Sequence, residues 1–307
     1  MWVLLLLMSV PCVVSEDLNV NIENLPAVVG ELNLSNIKFN KSGILEGEKA
    51  SITRHPYALR IISVSLEEAL MCTGALIDSR YVLTAKHCAS PTVRAVSVCL
   101  GSRYLPQKNV CNGVRRFARK LVMSNSNDLL IAILGNKVYN TSVTKPLRPQ
   151  VFQPADIQEA CYGVGFDLFI PGREKPKPYM LKVNFTVVHY DDEFIYVRSD
   201  KQNVCRRHSG LPLICNEKFV GVATEPPKTD CLSGNAMAKY VNLNSSMYFI
   251  NKVLSGFYDR SEELTSNWKL ILGVAILQTL QLFKKGKNVN KVMVLGLVMG
   301  LFLGFMG

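Results

Sequence analysis

Histidine is scarce in this 307-residue chain: His55, His87, His189 and His208 are its four copies. None falls into the Cys/His spacing of a metal site, and His189, before Asp191-Asp192, reads as a strand-edge residue. No phosphate-binding loop and no cofactor fingerprint occurs, so no cofactor and no metal are expected. Arg and Lys are plentiful, with 35 against 24 Asp and Glu. They nowhere cluster with interleaved aromatics between residues 44 and 263, which excludes nucleic acid as a partner. Internal repeats are missing, as is any long amphipathic helix before residue 245. Acids are missing altogether from residues 264–307, which hold five lysines.

What is present is a chain with export signals. Trp2 to Met8 is an apolar run that ends in small and β-branched residues before Glu16-Asp17. It reads as a signal peptide over 1–15, cut near Ser15, although no Lys or Arg precedes the run. Its removal takes Cys12 and leaves eight of nine cysteines, an even number that fits disulfides in an oxidising compartment. Five Asn-X-Ser/Thr sequons, at Asn33, Asn40, Asn140, Asn184 and Asn244, are candidate glycosylation sites and support export.

Through the middle of the chain, short apolar runs alternate with turn residues. They include Ala58–Val64, Met71–Ile77, Leu129–Leu134, Leu181–Val188, Phe194–Arg198 and Phe219–Ala223. Such a pattern predicts an all-β sandwich or barrel. Asn242–Leu254 is the one candidate helix, at the end of this region.

Three segments then occur in a fixed order. Cys72-Thr-Gly-Ala-Leu-Ile runs on to Leu83-Thr84-Ala85-Lys86-His87-Cys88. Asn127-Asp128 precedes the apolar run Leu129–Leu134. Cys205-Arg206-Arg207-His208-Ser209-Gly210-Leu211-Pro212 leads to Cys215. This His, Asp, Ser order resembles the chymotrypsin-like (trypsin-like) serine proteases, over about Ile44 to Gly256. The resemblance implies two packed antiparallel six-stranded β-barrels, at about 44–145 and 146–245, with a short C-terminal helix. It implies that His87, Asp128 and Ser209 are catalytic, acting on a peptide or protein substrate. A serine hydroxyl is a weak nucleophile at neutral pH, so His87 would take its proton while Asp128 holds the imidazole. The resemblance also implies the bridges Cys72–Cys88, Cys161–Cys215 and Cys205–Cys231. Cys99 and Cys111 remain and would close a local hairpin.

The chain departs from the family at several points. Residues 16–43 stand where relatives carry a removable leader, and Ile44-Leu45-Glu46-Gly47 where cleavage frees a new N-terminus. Gly43 precedes Ile44, so a trypsin-like activator is not expected to cut there. His208 replaces the acid that receives the new ammonium, and losing one partner of a buried ion pair costs about 3–5 kcal/mol. Arg207 replaces a glycine whose backbone N–H, with that of Ser209, forms the oxyanion hole. A donor misplaced there costs about 10²–10³-fold in rate. Leu211 replaces a small residue beside the site. The substrate pocket maps to Asn203, six residues before Ser209, and to Thr224-Glu225-Pro226 in the place of Ser-Trp-Gly. Asn203 is not an acid, so no strong Lys/Arg preference follows.

Residues 257–307 form a linker and an apolar tail. Trp268–Phe283 and Val292–Gly307 flank a lysine-rich stretch, and Gly296, Gly300 and Gly304 have the spacing of close-packing membrane helices. A membrane hairpin or single span, a removable lipid-anchor signal, and a tail of a secreted protein are the three readings. Membrane attachment at the cell surface is the expectation. Two functions stand side by side: a serine endopeptidase with unusual activation, and a non-catalytic homologue that serves as a binding or cofactor module.

Overall fold

The computed structural model describes residues 47–65, 68–90, 92–102, 111–158, 160–166, 180–199, 209–224 and 237–258, together with the backbone of 18–21 and 38–41. The chain divides into two units, Met1–Leu254 and Ser255–Gly307. The apolar tail stretches and the signal-like start lie outside the described residues. Among the described residues no helix is long and apolar enough to cross a membrane.

Two closed six-stranded antiparallel barrels make up the body. The first contains β4 (Ala58–Val64), β5 (Glu68–Asp78), β6 (Tyr81–Ala85), β7 (Ala95–Leu100), β8 (Val114–Met123) and β9 (Leu129–Leu134). They pair in the order β7-β4-β5-β6-β9-β8, and β8 returns to β7. The second contains β10 (Cys161–Phe166), β11 (Met180–Tyr190), β12 (Phe194–Arg198), β13 (Pro212–Cys215), β14 (Lys218–Ala223) and β15 (Ala238–Asn242). Its order is β10-β13-β14-β15-β12-β11, closed by β11 on β10.

Three short strands sit outside this count. β1 (Leu18–Asn21) pairs with β8 and β2 (Lys38–Lys41) with β5, while β3 (Glu48–Lys49) pairs with β11. The apolar runs of the sequence become strands for two physical reasons. Leu129–Leu134 is buried along its whole length, as an unbroken apolar strand must be. In Phe194–Arg198, Ile195 and Val197 point inward while Phe194, Tyr196 and Arg198 point outward, the two-residue alternation of a half-buried strand. The second core gathers Val183, Phe185, Ile195, Val197, Leu213 and Tyr240.

The terminal helix α1 spans Leu243–Leu254 and buries Leu243, Ser246, Phe249, Ile250 and Val253 on one face. Asn242 lies just outside it as a cap, its side-chain oxygen accepting from the Asn244 N–H at 2.9 Å. Asn244 in turn clamps the chain at Phe152, accepting from its N–H at 3.0 Å and donating to its carbonyl at 2.9 Å. That clamp, together with the burial of Ser246 in the same sequon, opposes a glycan at Asn244 in the folded chain. Asn140 and Asn184 are exposed.

Cys72–Cys88, Cys99–Cys111 and Cys161–Cys215 are bridged, as expected from the resemblance and the remaining pair. Cys161 and Cys215 are direct partners in the β10–β13 register. Cys205 and Cys231 lie outside the described residues.

Candidate active site

The three segments singled out in the sequence meet at the junction of the barrels. β6 ends at Ala85, and a single 3-10 turn over Lys86–Cys88 carries His87, pinned by the Cys72–Cys88 bridge to β5. Asp128 sits immediately before β9. Its backbone carbonyl accepts from the Lys86 N–H at 3.1 Å, tying the two loops together. Ser209 leads into β13 of the other barrel.

A continuous line of hydrogen bonds runs through these groups. The His87 Nε2 lies 2.5 Å from the Ser209 Oγ, and the His87 Nδ1 lies 2.6 Å from the Asp128 Oδ2. The His87 backbone N–H donates to the Asp128 Oδ1 at 3.0 Å. Thr224 then closes the line, donating its hydroxyl to the Asp128 Oδ2 at 2.5 Å. Burial pushes the Asp128 carboxyl up. Donation and positive charge from His87, with the Thr224 hydroxyl, outweigh that push and hold it below the usual carboxylate range. Asp128 is therefore a carboxylate at neutral pH, able to accept from both sides.

Ser209 is held by a wedge between the barrels. Its carbonyl accepts from the Thr73 N–H of β5 at 3.1 Å. The next residue, Gly210, donates its N–H to the Ala223 carbonyl at 2.9 Å and has φ of +77°. A Cβ there would sit 2.1 Å from both the Thr73 carbonyl oxygen and the Thr84 hydroxyl. Only glycine fits that conformation in that space.

Leu211, read as replacing a small residue beside the site, has its side chain fully buried in the second core. It lies over Gly163 and Gly165 of β10, where an added Cβ would come within 2.7 Å and 2.4 Å of its methyls. Two glycines on the facing strand make the room that a leucine needs.

The family's model matches the chain over residues 44–250. The chain belongs to the trypsin family. Among its relatives, thrombin-like enzyme calobin-1 of Gloydius ussuriensis is 23% identical over 254 residues, spanning 75% of this chain and 94% of that protein. Of solved structures, the scabies mite inactivated protease paralogue S-D1 superposes with a TM-score of 0.57 at 19% identity, covering 69% of this chain and 98% of that one. HL collagenase superposes with a TM-score of 0.59 at 17% identity, covering 69% and 99%. These structures share the fold with this trypsin-family chain.

Sequence reasoning missed two groups in this site. Thr224, read as pocket wall, also donates its hydroxyl to Asp128; the signal was that Thr keeps a hydroxyl in the serine position of Ser-Trp-Gly. Asn127 donates through Nδ2 to the Ser246 Oγ of α1 at 2.7 Å, which fastens the Asp128 loop to the terminal helix. No spacing in the sequence linked residues so far apart. Arg207, His208, Asn203, Glu225 and Pro226 lie outside the described residues. His189 is on β11, stacked on Tyr196 with ring centroids 5.8 Å apart.

Proposed function

We propose that this trypsin-family chain is a serine endopeptidase in which Ser209 is the nucleophile, His87 the general base and Asp128 the carboxylate that orients it. The observation that carries this reading is the unbroken line Thr224–Asp128–His87–Ser209. The Ser209 hydroxyl would donate to the His87 Nε2, and the Nδ1–H to Asp128. As Ser209 attacks a peptide carbonyl, its proton passes to Nε2 and then to the leaving amine, leaving an acyl-serine. Water, deprotonated by the same nitrogen, releases the acid. The N–H groups of Ser209 and Arg207 are the proposed oxyanion donors. Asn203 at the pocket floor argues against a strong Lys/Arg preference, and Glu225 would favour a basic peptide.

A second reading, a non-catalytic homologue that binds a partner, is favoured by Arg207 and His208 in the Gly and Asp positions. Inactivated paralogues occur among the chain's structural neighbours. Labelling of the folded protein with a fluorophosphonate probe, with Ser209→Ala as control, separates the two. The endopeptidase reading expects Ser209-dependent labelling; a folded chain that stays unlabelled both before and after cleavage at Ile44 overturns it. For location, the signal-like start, the bridges and the apolar tail support an extracellular protein held to the membrane by its tail. Full release by carbonate wash would refute the attachment.

A further inference from the structure

The first barrel closes on six strands, yet two of them overrun their neighbours. β5 is eleven residues long, and β6 pairs only with its second half, Ala75 to Asp78. β4 covers one edge of Ala69 to Met71, which leaves the other edge open to a new strand. β8 is ten residues long, and β7 pairs only with Val114 to Phe117. β9 covers one edge of Lys120 to Met123, and again the second edge is open. An open edge presents unpaired N–H and carbonyl groups that will accept a strand.

Both openings are filled by the segment that precedes Ile44. β1 runs antiparallel to β8 from Leu18 against Met123 to Asn21 against Lys120. β2 runs parallel to β5 from Lys38 against Glu68 to Lys41 against Met71. One segment thus grips the barrel at two separated edges, and each grip raises the effective concentration of the other. No cysteine occurs in residues 16–43, so a covalent tether is unavailable.

We propose that β1 and β2 are permanent strands of the first barrel, and that they stay bound through these two pairings after the chain is cut before Ile44. The leader is then a non-covalent second chain rather than a discarded peptide, and its loss would bare two strand edges.

The test is a full chain with the recognition sequence of a site-specific protease inserted after Lys41. After cutting, the leader is expected to co-elute with the body on native gel filtration and to separate from it only in denaturant. The paired prolines Asn19→Pro/Val20→Pro and Phe39→Pro/Asn40→Pro extend the test. Adjacent N–H groups of a strand point to opposite edges, so one proline of each pair removes a donor on the shared edge. The four-proline leader is expected to leave the cut body under native conditions. Amide exchange at 68–71 and 120–123 should be slower with the leader bound by about tenfold or more, the equivalent of one net backbone hydrogen bond. A wild-type leader that leaves on cutting, a proline leader that stays, or exchange at those edges unchanged by the leader would each overturn the proposal. None of these readouts depends on Ser209.

Discussion

His55 gives the most quantitative test of the packing between the barrels. It is 8% exposed, with its Nδ1 3.3 Å from the Tyr57 hydroxyl and its ring 5.4 Å from that of Tyr162 on β10. Burial, then the positive charges of Lys182 and Arg54, lower its pKa from 6.5 to about 4. The unfolded chain therefore binds the His55 proton at a higher pH than the folded chain. Stability from the neutral ring is fully present above pH 6.5 and falls as pH drops through 6.5 toward 4. The full shift corresponds to about 3 kcal/mol, at about 1.4 kcal/mol per pKa unit, of which about 2 kcal/mol is lost by pH 5. For a unit of this size that is a fall in Tm of about 4–8 °C. Other groups titrate in the same range, so the measured quantity is the difference between wild type and His55→Phe. Thermal unfolding at pH 8 and pH 5 should show wild type losing that much more stability than the variant. Equal losses would refute the buried, neutral His55.

Three other substitutions test the site. Gly210→Ala combines a left-handed φ with clashes at 2.1 Å; it should cost about 2–5 kcal/mol in urea unfolding, from about 1–2 for the conformation and about 1–3 for the overlap. Leu211→Ala should cost about 2–5 kcal/mol as a core truncation; a stability equal to wild type would refute its packing against Gly163 and Gly165. Thr224→Val removes a hydrogen bond to a carboxylate of about 1.5–3 kcal/mol. It should slow fluorophosphonate labelling about tenfold to a hundredfold and move the acid limb of its pH profile upward, because Asp128 loses a donor that favours its charged form.

Much of this architecture could be read from local pattern. Ala58–Val64, Leu129–Leu134 and Phe194–Arg198 are strands with the boundaries that their apolar runs suggest. The helix read as Asn242–Leu254 begins one residue later because Asn242 is spent as its cap. Other features depended on partners distant in sequence. Met71–Ile77 grew to Glu68–Asp78 because β2 pairs Glu68 to Met71, β4 pairs Ala69 and Leu70, and β6 pairs Asp78 with Tyr81, contacts that no run of hydrophobic residues encodes. β1 and β2 were invisible for the same reason: they are strands by virtue of the open edges that they meet. At the site, residue identity was legible and orientation was not. The burial of Leu211 depends on Gly163 and Gly165 opposite it, and the bond from the Thr224 hydroxyl to Asp128 on two loops meeting, which no local pattern carries.

The arrangement also separates two properties, alignment of the proposed base with the nucleophile and placement of the proposed oxyanion donor. The proposed base and nucleophile come from different barrels, and three links hold those barrels in register beside them. Thr224 bonds to Asp128, Asn127 bonds to Ser246 of α1, and the Ser209 carbonyl bonds to Thr73. None of these links involves residue 208 or Ile44. Alignment of His87 with Ser209 is thus secured by packing, whether or not the chain is cut before Ile44. What the proposed mechanism leaves to a cut before Ile44 is the proposed oxyanion donor at residue 207. Under that mechanism a chain with an aligned base and a misplaced donor would still react at Ser209, more slowly by about 10²–10³-fold than one whose donor is in place. The rate of Ser209 labelling before and after cutting at Ile44 measures that single N–H. An unchanged, slow rate would mean that cleavage does not reach the oxyanion hole, and a rise of that size would mean that another group has taken over the role of the lost acid.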